Sequence, residues 1–96
     1  MEELFQLVKD KLKITWDDDD TNREIEVLIE DAEIILNSKL GAKIDYLEPG
    51  QERRLFLNYC LYAYNDMEAD FDNVYFNEIM QLRIKWEVLD EETDEE

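Results

Sequence analysis

The chain has 96 residues, with 27 Asp and Glu against 10 Lys and Arg and no His, so its formal net charge is −17. This length supports one domain core, and scattered cations on so acidic a chain disfavour tight binding to free DNA or RNA. Without His the chain lacks the commonest general base and metal ligand, and no segment has the ~20 apolar residues that span a bilayer. We therefore expect a soluble protein that is not an enzyme and has no metal, no cofactor and no membrane partner.

The first predicted element is a short helix from about Glu2 to Leu12, because Leu4, Phe5 and Val8 recur with Leu12 at helical spacing. The chain opens directly into this pattern without a basic start or a long apolar run, so we expect no targeting segment. A helix this short is marginal alone in water and needs packing against the rest of the domain.

An acidic loop is predicted next, and it ends in the run Asp17, Asp18, Asp19 and Asp20. Hard cations such as Ca²⁺ take carboxylate ligands, but the run lacks the alternating pattern, Gly and final Glu of an EF-hand loop. We interpret it as a solvated loop whose charges favour the start of the following helix, with weak adventitious cation binding as the alternative.

The central predicted element is a long helix from Thr21 to Leu40. Thr21 and Glu24 fit a capping box at its start, and Gly41 follows its end, where a left-handed residue closes a helix at little steric cost. Its apolar residues recur at three- and four-residue steps and form one face, which two further segments must cover: Ile25, Leu28, Ile29, Ala32, Ile35, Leu36 and Leu40.

A link from Ala42 to Pro49, an ordered loop or an extended piece, leads into a third helix from Gln51 to about Met67. Pro49 suits a first helical turn. One stripe of the helix consists of Leu55, Phe56, Tyr59, Cys60, Ala63 and Met67, and a second of Leu57, Leu61 and Tyr64. A helix that is apolar on two sides is buried on both, so we predict that the second stripe is a subunit interface.

A fourth helix is predicted from a cap at Asp72 to about Val88, with Phe76, Ile79, Leu82 and Trp86 on one face. From residue 90 the chain is almost wholly acidic, which predicts a disordered tail. The predicted fold is thus an all-α bundle of about four helices, two long and two shorter, with a helical domain over residues 1–89 and an acidic tail over 90–96.

Three further sets of side chains were interpreted from the sequence: the cysteine, a group of aromatic residues and a cluster before the tail. Cys60 is the only cysteine and is expected to be a buried free thiol, as in a reducing cytoplasm. Tyr59, Tyr62, Tyr64, Tyr75 and Phe76 resemble base-stacking platforms, but acidic surroundings favour core and interface packing. A cluster before the tail is either a solvated last turn or a partner-docking segment, because Trp and Arg are enriched at interface hot spots: Arg83, Trp86, Val88 and Leu89.

The order of these elements resembles the head–tail connector (adaptor) proteins of tailed bacteriophages over residues 2–89. The short motifs that carry the resemblance are Leu12-Lys13-Ile14, the Asp-rich loop, the segment from Val27 to Glu33, Leu40-Gly41, the tyrosines Tyr59, Tyr62 and Tyr64, and the segment from Tyr75 to Arg83. The last segment is similar to forms from phages and prophages of low-GC Gram-positive hosts.

This resemblance implies a structural virion protein that forms a ring, usually of twelve subunits, beneath the portal protein at the head–tail interface, or neck. The ring holds the head-closure (stopper) protein, and DNA passes through its channel without specific binding. Such a protein is made in the bacterial host cytoplasm. Asp17, Asp18, Asp19 and Asp20 are then candidates for a channel-facing acidic loop that repels phosphates.

A second hypothesis belongs to another functional class. The same negative charge is expected of a small acidic inhibitor that mimics DNA and occupies the basic cleft of a host DNA-binding protein. Such a mimic has no need of a helix that is apolar on two sides, so oligomeric state and competition with DNA distinguish the two hypotheses.

Overall fold

The computed structural model describes residues 2–94, with side chains for residues 3–89. This part of the chain contains helices and no strand, which confirms the all-α prediction. The five helices are α1 (Glu2–Lys11), α2 (Asp19–Leu40), α3 (Gln51–Tyr64), α4 (Glu68–Val74) and α5 (Phe76–Asp94).

Helix α2 lies at the centre of the domain and packs against α1, α3 and α5. The face that it buries is the one predicted from its spacing: Ile25, Ile29, Ala32, Leu36 and Leu40. Leu28 is only half-buried and Ile35 is partly exposed, so these two residues lie at the edge of the face. Full burial of an aliphatic side chain stabilises a fold by about 1.5–3 kcal/mol, which makes this face the main source of packing energy.

Helix α2 begins two residues earlier than predicted, and Asp18, not Thr21, is its N-cap. The Asp18 carboxylate accepts hydrogen bonds of 3.1 Å from both the backbone amide and the hydroxyl of Thr21. The capping-box prediction was therefore wrong. An Asp at position 18 caps the amide of Thr21 as well as a Thr at position 21 would cap the amide of Glu24, and the negative charge of Asp18 is favoured at this end of the helix.

Two non-glycine residues in the left-handed region end α1 and α3. Lys13 (φ 61°) follows α1, where the amide of Ile14 donates to the carbonyl of Lys9, and Asp66 (φ 58°) follows α3 in the same arrangement. This is the Schellman closure, which commonly uses Gly but also accepts a short polar residue. It explains why α3 stops at Tyr64 and does not reach Met67.

The link between α2 and α3 is an ordered loop anchored by one side chain. Gly41 closes α2 in the left-handed region as predicted, with φ 71°. The Asn37 amide oxygen then accepts a 2.8 Å hydrogen bond from the buried Tyr46 hydroxyl, while the Tyr46 ring stacks on Phe56 of α3. Pro49 precedes α3 rather than lying in its first turn, because α3 starts at Gln51.

The segment predicted to connect the third and fourth helices contains α4, a helix of seven residues. Phe71 is its buried residue and contacts Tyr59 edge-on, with ring centroids 4.9 Å apart. Asp72, predicted to cap the last helix, lies inside α4 and pairs with Lys39 at 2.7 Å. Because Phe71 is its one buried residue, the helix has no repeating core face, and the sequence pattern did not predict it.

The last helix extends further than predicted. Helix α5 continues to Asp94, which includes residues 90–94 of the segment expected to be disordered; the remaining residues of that tail, 95 and 96, lie outside the described part of the chain. Once a helix is nucleated, each added residue requires only propagation, and Glu is a good helix former.

The corrected N-cap is testable by replacing Asp18 with Ala. We expect a loss of about 1 kcal/mol in the free energy of unfolding, because the first-turn amide of Thr21 loses its acceptor. Urea titration followed by circular dichroism measures this loss. Asp20→Ala is the matched control, since Asp20 lies in the first turn but is not the cap. An equal loss in both variants would mean that charge near the helix start matters and the cap does not.

Candidate functional site

An exposed apolar stripe runs along the outer side of α5. It consists of Phe76, Met80, Ile84 and Val88, whose side chains are between 41 and 60 % exposed. The four-residue spacing places them on one ridge of the helix, about 18 Å long at 1.5 Å per residue. The α5 stripe, as we call these four residues, adjoins the face that enters the core through Ile79 and Leu82. Helix α5 is therefore apolar on two sides, and its own domain covers one.

The α5 stripe lies on a neutral part of a highly charged chain. Between residues 76 and 89 the charged residues are Glu78 and Glu87 against Arg83 and Lys85, so the whole net charge of −17 lies outside this segment. Large exposed apolar patches typically mark interaction sites, and charged residues are depleted at the centres of protein interfaces. The α5 stripe has both properties and is the candidate interaction site.

The structure places the four predicted docking residues on different sides of α5. Arg83 donates a 3.2 Å hydrogen bond to the carbonyl of Lys39 in α2. Trp86 is half-buried, and its indole N–H donates to Glu52 of α3 at 3.0 Å. Val88 belongs to the exposed α5 stripe, and Leu89 is partly exposed. Arg83 and Trp86 thus hold α5 to the domain, while Val88 lies on the outer surface.

Three residues of the α5 stripe are not among the predicted docking residues. The sequence pattern predicts Phe76 on the same face as Ile79 and gives no role to Met80 and Ile84. The signal for the stripe is a row of four apolar residues at four-residue spacing from position 76 to position 88. A second apolar row on α5 was the pattern that had already indicated an interface on the third helix.

The predicted subunit interface lies on the outer side of α3, and its three residues become more exposed towards the C-terminal end of the helix. Leu57 packs against the core, Leu61 is half-buried and Tyr64 is exposed. Tyr64 and Val27 line an open groove between α3 and α2. The groove also contains Leu28 and Ala63 and is bordered by Glu24 and Asp31. It is a second candidate surface, mixed in character, in which apolar side chains lie between two carboxylates on helices other than α5.

Two of the four loop aspartates make contacts within the domain. Asp17 accepts a 2.7 Å hydrogen bond from Asn22 and lies 3.9 Å from the Lys9 ammonium, and Asp18 is the cap of α2. Asp19 and Asp20 are exposed residues of the first turn. Among the described residues, no group of three or more potential ligands is placed to hold a metal ion.

The other side chains singled out from the sequence pack internally. Tyr59, Tyr62 and Tyr75 surround Phe71 at ring-centroid distances of 4.8 to 5.8 Å, so these tyrosines are packing residues rather than an exposed platform. Cys60 is a buried free thiol, as predicted, and burial raises its pKa to about 12. In the described part of the chain, the helices are too short or too polar to cross a membrane.

Comparisons with known protein families, curated proteins and solved structures find no match to this chain. Any assignment of function therefore has to depend on the surfaces described above and on the resemblance of the sequence motifs.

The half-buried carboxylate of Glu52 connects α3 to α5. One oxygen of Glu52 accepts hydrogen bonds from the Lys85 ammonium at 2.6 Å and from the Trp86 indole at 3.0 Å. Burial alone would raise the pKa of Glu52, but these hydrogen bonds outweigh it and hold the pKa below the usual 4.5. The ionised carboxylate thus stabilises the packing of α5 against α3, and with it the position of the α5 stripe.

We predict that Glu52→Gln destabilises the protein by roughly 1 kcal/mol at pH 7, because the Gln amide oxygen can still accept a hydrogen bond but loses the negative charge that strengthens the bonds from Lys85 and Trp86. Because the folded pKa is below the unfolded one, the wild-type advantage is present above about pH 4.5 and disappears as the pH falls through the folded pKa. Urea titrations of both proteins at several pH values measure the difference. Glu48→Gln is the control, since Glu48 is exposed; a pH-independent difference for Glu52→Gln would contradict the assignment.

Proposed function

We propose that this protein is a head–tail connector of a tailed bacteriophage, a structural virion protein that forms a ring between the portal and the head-closure protein. The observation that carries the proposal is the presence of two separate exposed surfaces with apolar residues on one small domain, the α5 stripe and the groove between α2 and α3. A connector subunit needs one surface for its neighbours in the ring and another for its partner proteins, and these two surfaces lie on different parts of the domain.

The groove between α2 and α3 is the proposed contact with neighbouring subunits. Tyr64 lines the groove from α3 and Val27 lines it from α2, while Leu61 is a half-buried residue one turn before Tyr64. A Tyr supplies a large rigid contact area with a polar end, which is typical of interfaces. Twelve subunits joined in this way form the ring that the resemblance implies.

The proposed channel wall is the exposed acidic side of the loop and of α2. Between residues 19 and 31 the exposed acidic residues that do not border the groove between α2 and α3 are Asp19, Asp20, Glu26 and Glu30. Carboxylates at a channel surface repel phosphates, so DNA leaves the capsid without adhering to the wall. The protein then contacts DNA only transiently and without sequence preference.

The C-terminal end of α5 is the proposed docking site for the portal or head-closure protein. Val88 and Leu89 are the exposed apolar residues there, and the acidic residues 90–94 that follow them continue α5. The protein is made in the bacterial host cytoplasm, and its place in the particle is the neck of the virion.

The ring is tested by co-expressing the chain with the phage portal protein and imaging the purified complex by negative stain. We expect a second ring on the narrow end of the portal. Tyr64→Glu is expected to lower ring occupancy at least about 100-fold, because burial of an unpaired carboxylate costs several kcal/mol. Circular dichroism checks that this variant folds.

The matched control for the ring is Tyr64→Phe, which keeps the aromatic contact area and is expected to assemble like the wild type. A Tyr64→Glu ring as complete as the wild-type ring would contradict the subunit contact. A portal that carries no second ring with the wild-type chain would contradict the proposed function itself.

The channel is tested with the double variant Asp19→Lys and Asp20→Lys. Asp17 and Asp18 stay unchanged, because they hold Asn22 and cap α2, so the fold is expected to remain intact. Lys residues in the channel attract phosphates, and we expect slower DNA ejection from assembled particles, measured by dye fluorescence. The double variant Asp19→Asn and Asp20→Asn is the control for loss of charge alone. Wild-type ejection rates in the Lys variant would exclude this loop from the channel wall.

The exposed carboxylates of α2 also support the second candidate, a DNA mimic. Between residues 19 and 31 there are six of them and one basic residue, Arg23. A mimic remains monomeric or dimeric and competes with DNA for a host protein, whereas a connector assembles on a portal.

A further inference from the structure

We draw no further inference here: the strongest candidate, the α5 stripe on the outer surface of the last helix, carries none, because nothing in the described part of the structure shows what covers it.

Discussion

The burial of one face of α2 is the constraint on which the rest of the structure depends. Ile25, Ile29 and Leu36 are wholly buried, and α1, α3 and α5 pack against this helix. Helices as short as α1 and α4 are marginal on their own, so they gain stability from the same core. Because α2 supplies one buried face, its exposed side is left for carboxylates, and the apolar side of α5 that does not reach the core stays at the surface.

This separation of charge and apolar surface connects the fold to the proposed function. The carboxylates concentrate on the loop and α2, while the segment of α5 from 76 to 89 is neutral. A connector has two kinds of neighbour, DNA that must pass freely and proteins that must be held. The exposed carboxylates of the loop and α2 meet the first demand and the α5 stripe meets the second, and Glu52 holds α5 in place through Lys85 and Trp86.

The sequence pattern predicted those features that repeat over several turns. The buried face of α2, its closure at Gly41 and the buried thiol of Cys60 are confirmed. The errors lie where one side chain decides the outcome: Asp18 takes the cap from Thr21, Asp66 ends α3 early, and α4 depends on Phe71 alone. The four predicted docking residues lie on different sides of α5. Residues two apart on a helix point in nearly opposite directions, and this separates Trp86 from Val88. The four-residue spacing of the α5 stripe is visible in the sequence.

The central claim is that α5 and the end of α3 meet partner proteins while the buried face of α2 does not. Amide hydrogen exchange of the chain alone and in complex with the phage portal protein tests it most directly, because docking slows local opening of the covered helices. The account predicts slower exchange in residues 76–89 and 61–64, with the middle of α2 unchanged. Unchanged exchange in both segments, or protection confined to the acidic residues 17–31, would contradict it.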